Sequence, residues 1–308
     1  MHADGTGTRV DRGHGEIGFI GLGLIGLPMA VNLADRGVRL VAWNRSSERA
    51  EPLRQMGAHV ASTVDEVFRR CETVFLMLAN EGVTDHVLGR GTPEFAERVS
   101  GRLLVSAGSV TPDYSRGLAA DIVVAGGRFV ETPVGGSTKQ AETGELVAMC
   151  GGDPQDIDEI RPLLDAMFRD TIVCGTAGHG LLMKLALNHY VVVAAAALAE
   201  IVHYADRIGL DLNAFQHAFE AGPLASEFTR FKLPKLVQRD FSVHATTTDV
   251  CENTRLIGEV ARDANVAAPL LDLSRELYLE NVARGNADVD VLSVIEVFEA
   301  RTADRNRR

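Results

Sequence analysis

Lys184 stands inside an apolar run, Leu181-Leu182-Met183-Lys184-Leu185-Ala186-Leu187. An ammonium buried among aliphatic side chains is costly unless it is paired or used. Burial also lowers its pKa toward the range in which an amine exchanges protons near neutrality. Asn188 follows four residues later, so on a helix the two side chains share a face. The pair suits acid/base chemistry on a small polar substrate. The plainer reading is a lysine whose stem snorkels to the surface.

A second constellation lies near the start. Gly21-Leu22-Gly23-Leu24-Ile25-Gly26 matches GxGxxG directly after a short apolar strand and directly before a helical segment. In that context the first glycine permits a tight turn and the second lets the backbone approach a pyrophosphate. The third lets helix and strand pack closely, with the helix N-terminus facing the anion. The motif predicts a nicotinamide dinucleotide. The next strand ends in Asn44-Arg45-Ser46-Ser47 instead of the acidic residue that would accept from a ribose 2′-hydroxyl. A guanidinium flanked by amide and hydroxyl donors suits a 2′-phosphate, so NADP is expected over NAD, with NAD possible. A solvated turn is the alternative.

These residues need a scaffold, and the chain's patterning supplies one. Short apolar runs at 16–20, 38–43, 73–78, 102–105, 127–130, 146–150 and 171–173 read as strands. They alternate with helical segments, the first at 28–36, which predicts a parallel α/β sheet. From 178 to 208 the pattern is one long helix, and only helical patterns follow, at 212–220, 227–237, 246–263, 270–283 and 290–300. Turns are expected at Gly222-Pro223, Pro234, Pro269 and Gly285. The expected fold is an α/β Rossmann-like N-terminal domain (16–177) and an all-α C-terminal domain (178–300), joined by a long interdomain helix lining the cleft. Loose tails are expected at 1–15 and 301–308.

With 308 residues, 46% hydrophobic and 24% charged, the chain has the composition of a globular protein able to bury a core. A net charge of −11 argues against nucleic-acid or anionic-membrane binding. The 190–201 run spans twelve apolar-rich residues, short of the ~20 a membrane helix needs. A helix apolar around its whole circumference must be buried on all sides, so a homodimer or higher homo-oligomer is expected. The four cysteines are scattered, the nine histidines form no metal-ligand spacing, and the first fifteen residues lack a signal-peptide core. A cytoplasmic location and no metal follow.

Four segments together resemble the β-hydroxyacid dehydrogenase family, which includes 3-hydroxyisobutyrate dehydrogenase, tartronate semialdehyde reductase and the glyoxylate/succinic semialdehyde reductases. They are GFIGLGLIGLPMAVNL (18–33) with the Asn44-Arg45-Ser46 strand end, ETPVGGSTKQAETGEL (131–146), GHGLLMKLALNH (178–189) and FSVHATTTDV (241–250). The resemblance runs from about Ile17 to Phe298. It implies that Lys184 protonates the carbonyl oxygen as hydride arrives and that Asn188 positions the substrate. It assigns Gly135, Gly136 and Ser137 to the substrate carboxylate, which suits their small size and exposed N–H groups. It also implies that Leu78, Ala79 and Ser109 touch the cofactor, and that the stretch Phe241–Val250, with Phe241 and Thr248, lines the nicotinamide.

The pattern departs from the family at several places. Gly135 replaces a serine, and Thr248 stands where many members have a lysine. Leu187-Asn188 replaces an asparagine pair, and Ser106 an aspartate. The Gly136-Ser137 pair followed by Lys139 resembles the glyoxylate/succinic semialdehyde reductase branch. The expected partner is a small carbonyl or hydroxy-acid compound. Two alternatives remain: imine reduction on the same scaffold, whose members usually replace the lysine, and a non-catalytic NADPH-binding scaffold protein.

Overall fold

Strands in the first half of the chain bury both faces, as a parallel sheet covered by helices requires. The alternation is regular. Ile17 and Phe19 enter one hydrophobic core and Ile20 the other; Phe75 enters the first, Val74 and Leu76 the second; Leu103 and Val105 enter the first, Leu104 the second. Phe19 and Phe75 stack across neighbouring strands at 6.0 Å.

The computed structural model describes residues 15–305. Among these, nine strands form one sheet: β1 (Ile17–Ile20), β2 (Leu40–Trp43), β3 (His59–Val60), β4 (Thr73–Leu76), β5 (Leu103–Ser106), β6 (Arg128–Glu131), β7 (Val134–Gly135), β8 (Leu146–Gly152) and β9 (Phe168–Gly175). The order is β3-β2-β1-β4-β5-β6-β8-β7, with β9 also paired to β8. β1 to β6 are mutually parallel, and β8 runs antiparallel to β6 and β7. The 3-2-1-4-5-6 arrangement is Rossmann-like, and its order reverses between β1 and β4, where ligands bind at the carboxyl ends of the strands. Two strands were not foreseen. β3 and β7 have two residues each, too short to show a period.

The long helix spans His179–Arg207, and the chain divides into two compact units after Lys184, within it. The second unit is helical: Leu212–Ala221, Glu227–Gln238, Thr247–Asp263, Pro269–Ala283 and Ile295–Arg305, with a 3₁₀ turn at Val291–Val294. Its core gathers around Tyr278, fully buried, whose hydroxyl donates to the Val192 carbonyl at 2.5 Å.

Three expectations need correction. Pro234 does not end a helix; Glu227–Gln238 runs through it, tolerating one missing N–H. The last helix continues to Arg305, beyond the expected end at 300; the tail residues 1–14 and 306–308 lie outside the described residues. The long helix is not buried on all sides. Val192, Ala195, Ala199 and Val202 pack in the second core, but Leu187, Tyr190, Ile201 and Tyr204 are exposed. At 29 residues it is also long and apolar enough to cross a membrane, by length and composition. Its packed face belongs instead to a protein core.

Candidate active site

The glycine loop shows which of its glycines the fold needs and which it leaves open. Gly21 turns the chain with φ +99°, and a Cβ there would lie 2.2 Å from the Met77 carbonyl oxygen. A Cβ on Gly26 would lie 2.1 Å from the Gly21 oxygen. Gly23 is different: nothing lies within 4 Å of a Cβ placed on it, and Leu24 beside it is exposed. The following helix, Gly26–Asp35, has no side-chain cap at its N-cap Ile25 and no acidic residue in its first turn. An uncapped positive helix end beside open space above Gly23 fits a dinucleotide pyrophosphate.

Asn44, at the end of β2, braces this loop. Its Oδ1 accepts from the Leu22 N–H at 2.9 Å and its Nδ2 donates to the Ser46 carbonyl at 3.0 Å. The Asn44 side chain is therefore engaged within the protein through Oδ1 and one N–H of its amide. Arg45 is exposed and Ser46 half-buried next to it.

The loops after β4 and β5 pack just as closely. A Cβ on Gly108 would lie 2.6 Å from the Leu78 carbonyl oxygen. Leu78 is half-buried and Ala79 exposed. The Glu81 carboxylate accepts from the Thr111 N–H at 3.0 Å and from its hydroxyl at 2.6 Å, tying the two loops together. Ser109, in the second of these loops, is exposed, with the Lys184 ammonium donating to its Oγ at 2.5 Å. Lys184 is half-buried, and desolvation lowers its pKa to about 8.

The lysine is carried by a helix whose start is driven into the edge of the sheet. Gly178 has φ +91°, and a Cβ there would meet Arg116 at 2.7 Å; a Cβ on Gly180 would lie 2.1 Å from the Met149 carbonyl oxygen. Gly180 lets the helix start against the β8 backbone, and Gly178 leaves room for the Arg116 side chain. Glu131, at the end of β6 and 1% exposed, accepts from the Gly180 N–H at 2.7 Å and the Leu181 N–H at 3.2 Å.

The segment carrying Gly135, Gly136 and Ser137 is less free than expected. Val134 and Gly135 pair with β8 as β7, opposite Ala148 and Val147. Gly136, at φ +128°, and Ser137 are exposed, but the Gln140 side chain accepts from the Ser137 N–H at 2.9 Å and from its hydroxyl at 2.5 Å. A carboxylate approaching this hydroxyl has to displace Gln140.

In the second unit, Asn188 donates through Nδ2 to the Asn253 Oδ1 at 2.9 Å, and Asn253 donates to the Asp249 carbonyl at 2.9 Å. Thr248 is exposed, with its N–H and hydroxyl both on the Ala287 carbonyl, at 3.1 and 3.0 Å. Phe241 is half-buried against the core. Buried Asp290 holds this stretch by accepting from the His244 N–H at 2.9 Å, with Lys232 3.6 Å away.

Comparison with known proteins bears on the whole chain. Residues 16–175 match the model of the NAD binding domain of 6-phosphogluconate dehydrogenase, and 178–298 that of the NAD-binding domain of NADP-dependent 3-hydroxyisobutyrate dehydrogenase. The chain belongs to the β-hydroxyacid dehydrogenase family. It is an NAD(P)-dependent dehydrogenase of that type. The chloroplastic glyoxylate/succinic semialdehyde reductase 2 of Arabidopsis thaliana is 30% identical over 95% of this chain and 82% of its own length. The Arabidopsis glyoxylate/succinic semialdehyde reductase 1 is 27% identical over 92% and 98%. In fold, the dehydrogenase superposes on the Mycobacterium tuberculosis 3-hydroxyisobutyrate dehydrogenase solved with L-serine, at TM-score 0.82 and 23% identity, over 92% of this chain and 99% of that one.

Four residues that hold these segments in place were not singled out from the sequence: Glu131, Asn253, Gly108 and Glu81. Glu131 alone left a signal, as an acidic residue at the end of an otherwise apolar buried strand. The partners of the others are set by strand order and helix packing, which no local pattern encodes.

Proposed function

We propose that this chain is an NADP-preferring oxidoreductase that moves a hydride between the nicotinamide and a small aldehyde acid or hydroxy acid, with Lys184 as general acid and base. The observation that carries the proposal is the desolvated Lys184 ammonium on Ser109, at the carboxyl edge of the sheet that bears the glycine loop. NADPH supplies the hydride when bound. Gly21 to Gly26 would hold its pyrophosphate, Arg45 and Ser46 its 2′-phosphate, and Leu78, Ala79 and Ser109 its nicotinamide half. Phe241 and Thr248 complete the assigned cofactor residues. In reduction Lys184 donates a proton at the carbonyl oxygen and is left as the neutral amine; in oxidation the amine takes that proton back. Asn188, one turn further along the helix, orients the same oxygen. Gly135 and Gly136, with Ser137, would receive the carboxylate. The names of the Arabidopsis relatives support glyoxylate or succinic semialdehyde as the substrate class.

The pH profile tests the lysine's role. A lysine lowered from 10.5 to about 8 is mostly ammonium at pH 7 and mostly amine at pH 9. Aldehyde reduction is expected to hold level below pH 8 and fall tenfold per unit above it, while oxidation of the hydroxy acid rises toward pH 8. A reduction rate that stays flat from pH 7 to 10 removes Lys184 as the acid.

Arg45 decides the cofactor. Arg45→Asp replaces a phosphate-binding cation with an anion that accepts from a 2′-hydroxyl and repels a 2′-phosphate. The ratio of kcat/KM for NADPH over NADH is expected to fall at least about tenfold, the equivalent of one ion-paired hydrogen bond. An unchanged ratio would separate Arg45 from the phosphate.

The homo-oligomer and cytoplasmic location belong to the same proposal. Four free cysteines support a reducing compartment. Leu187, Tyr190, Ala194, Ala197, Ile201 and Tyr204 recur at alternating three- and four-residue steps along the long helix, giving an apolar stripe suited to a second copy. Sedimentation velocity should find a dimer or larger assembly that Ile201→Glu with Tyr204→Glu reduces to monomer. A wild-type monomer at micromolar concentration would dismiss this reading.

A further inference from the structure

A helix N-terminus normally takes a serine, threonine or aspartate whose side chain accepts from the amides of the first turn. The helix that carries Lys184 has glycine before it, Gly178, and so no cap of its own. A carboxylate from elsewhere takes that place. Glu131 accepts from Gly180 and Leu181 through Oε1, and the Ser115 hydroxyl donates to its Oε2. A Cβ on Gly151 would lie 2.6 Å from Oε1, and one on Gly180 3.1 Å from it, so the surroundings are closed tightly on the carboxylate.

The three partners of Glu131 lie on both sides of the Lys184–Ser109 pair. Ser109 follows β5, the direct neighbour of β6, with Ser106 opposite Glu131 in the register. Ser115 belongs to the helix Pro112–Val124, which begins three residues after Ser109. Leu181 is three residues before Lys184, about one helical turn. A rotation of this helix by one residue, ~100°, would swing the ammonium away from Ser109. Two amides held by one carboxylate resist both that rotation and a slide along the axis.

We propose that Glu131 is a positioning residue: by capping the helix from β6 and tying it to the Ser115 helix, it sets Lys184 on Ser109. The inference rests on the reading of Lys184 as the acid and base, and adds what aims it. Glu131 has no part in proton transfer. Its work is done by acceptor geometry, so a neutral side chain of the same shape serves as well. In Glu131→Gln the amide oxygen can accept from Gly180 and Leu181 while its nitrogen donates to Ser115 Oγ. Glu131→Ala removes all three bonds.

The experiment uses two readouts on the full chain. The first is kcat and KM for an aldehyde acid with NADPH. The second is the pKa of the Lys184 amine, from the NMR signal of ¹³C-dimethylated lysines, assigned by its absence in Lys184→Arg. Glu131→Ala is expected to lose about 100-fold in kcat, the size of effect a displacement of ~1 Å produces, with little change in KM for NADPH. Its Lys184 amine should move from about 8 back toward 10.5. Glu131→Gln should keep both values close to wild type. Should the alanine variant not fold, Glu131→Asp makes the same test, because its reach is one methylene shorter. A folded Glu131→Ala, or in its place a folded Glu131→Asp, with wild-type kcat and an unmoved amine would overturn the proposal. So would a folded Glu131→Gln that loses both. If the wild type reduces no aldehyde acid, the functional reading fails, while the amine titration still decides whether Glu131 places Lys184.

Discussion

Lys184→Ala is expected to lower kcat by ~10²–10⁴-fold, the contribution of a positioned general acid, and to leave the dissociation constant of NADPH within about twofold. The two halves have separate physical grounds. The Lys184 side chain hydrogen-bonds Ser109, so its loss removes the proton donor without touching the glycine loop or Asn44. Stability should move the other way. The folded pKa of about 8 lies below the unfolded 10.5, so the folded state disfavours the ammonium, and that cost is fully present below pH 8. It is relieved as the pH rises from about 8 to 10.5. At pH 7 the alanine variant should therefore melt no lower than wild type, and it loses activity alone. Parallel losses of NADPH affinity and of melting temperature would instead make Lys184 part of the framework.

The second large effect separates two glycines of one motif. Gly26→Ala puts a methyl group 2.1 Å from the Gly21 carbonyl oxygen and 3.2 Å from the Met77 Cβ, where backbone must move. Overpacking of this kind costs ~1–3 kcal/mol or more, so the variant should melt several degrees lower and bind NADPH poorly. Gly23→Ala meets open space, and the fold should not register it. The same methyl stands where the pyrophosphate must approach, so NADPH affinity should fall by at least about tenfold at unchanged melting temperature. Differential scanning fluorimetry with and without NADPH reads both quantities. A Gly23→Ala variant that binds as tightly as wild type would place the pyrophosphate elsewhere.

The contrast between these glycines shows what a sequence pattern carries. GxGxxG between strand and helix was enough to locate the tight glycine loop, because strand, turn and helix are adjacent in the chain. Alternation and helical periodicity likewise placed the central strands and the long helix, since each depends only on near neighbours. What could not be read depends on residues brought together by topology. Asn44 was legible as an amide at the strand end, but not that its Oδ1 accepts from the Leu22 N–H. Nothing in the Gly178-His179-Gly180 pattern says that Gly180 makes room for β8 and Glu131, or Gly178 for Arg116. Ser137 was legible as a hydroxyl, but not that Gln140 already accepts from it. The apolar helix was legible as needing cover, yet exposure along Tyr190 and Tyr204 appears only once the second unit's core has taken its share.

The most direct test of Lys184-driven carbonyl reduction is the fall of NADPH absorbance when the purified protein meets glyoxylate, succinic semialdehyde, methylmalonate semialdehyde, tartronate semialdehyde and one cyclic imine, each in turn. Turnover of at least one aldehyde acid is expected, faster with NADPH than with NADH, and slower by ~10²–10⁴-fold in Lys184→Ala. Turnover of the imine alone, or an aldehyde-acid rate undiminished in Lys184→Ala, would contradict it.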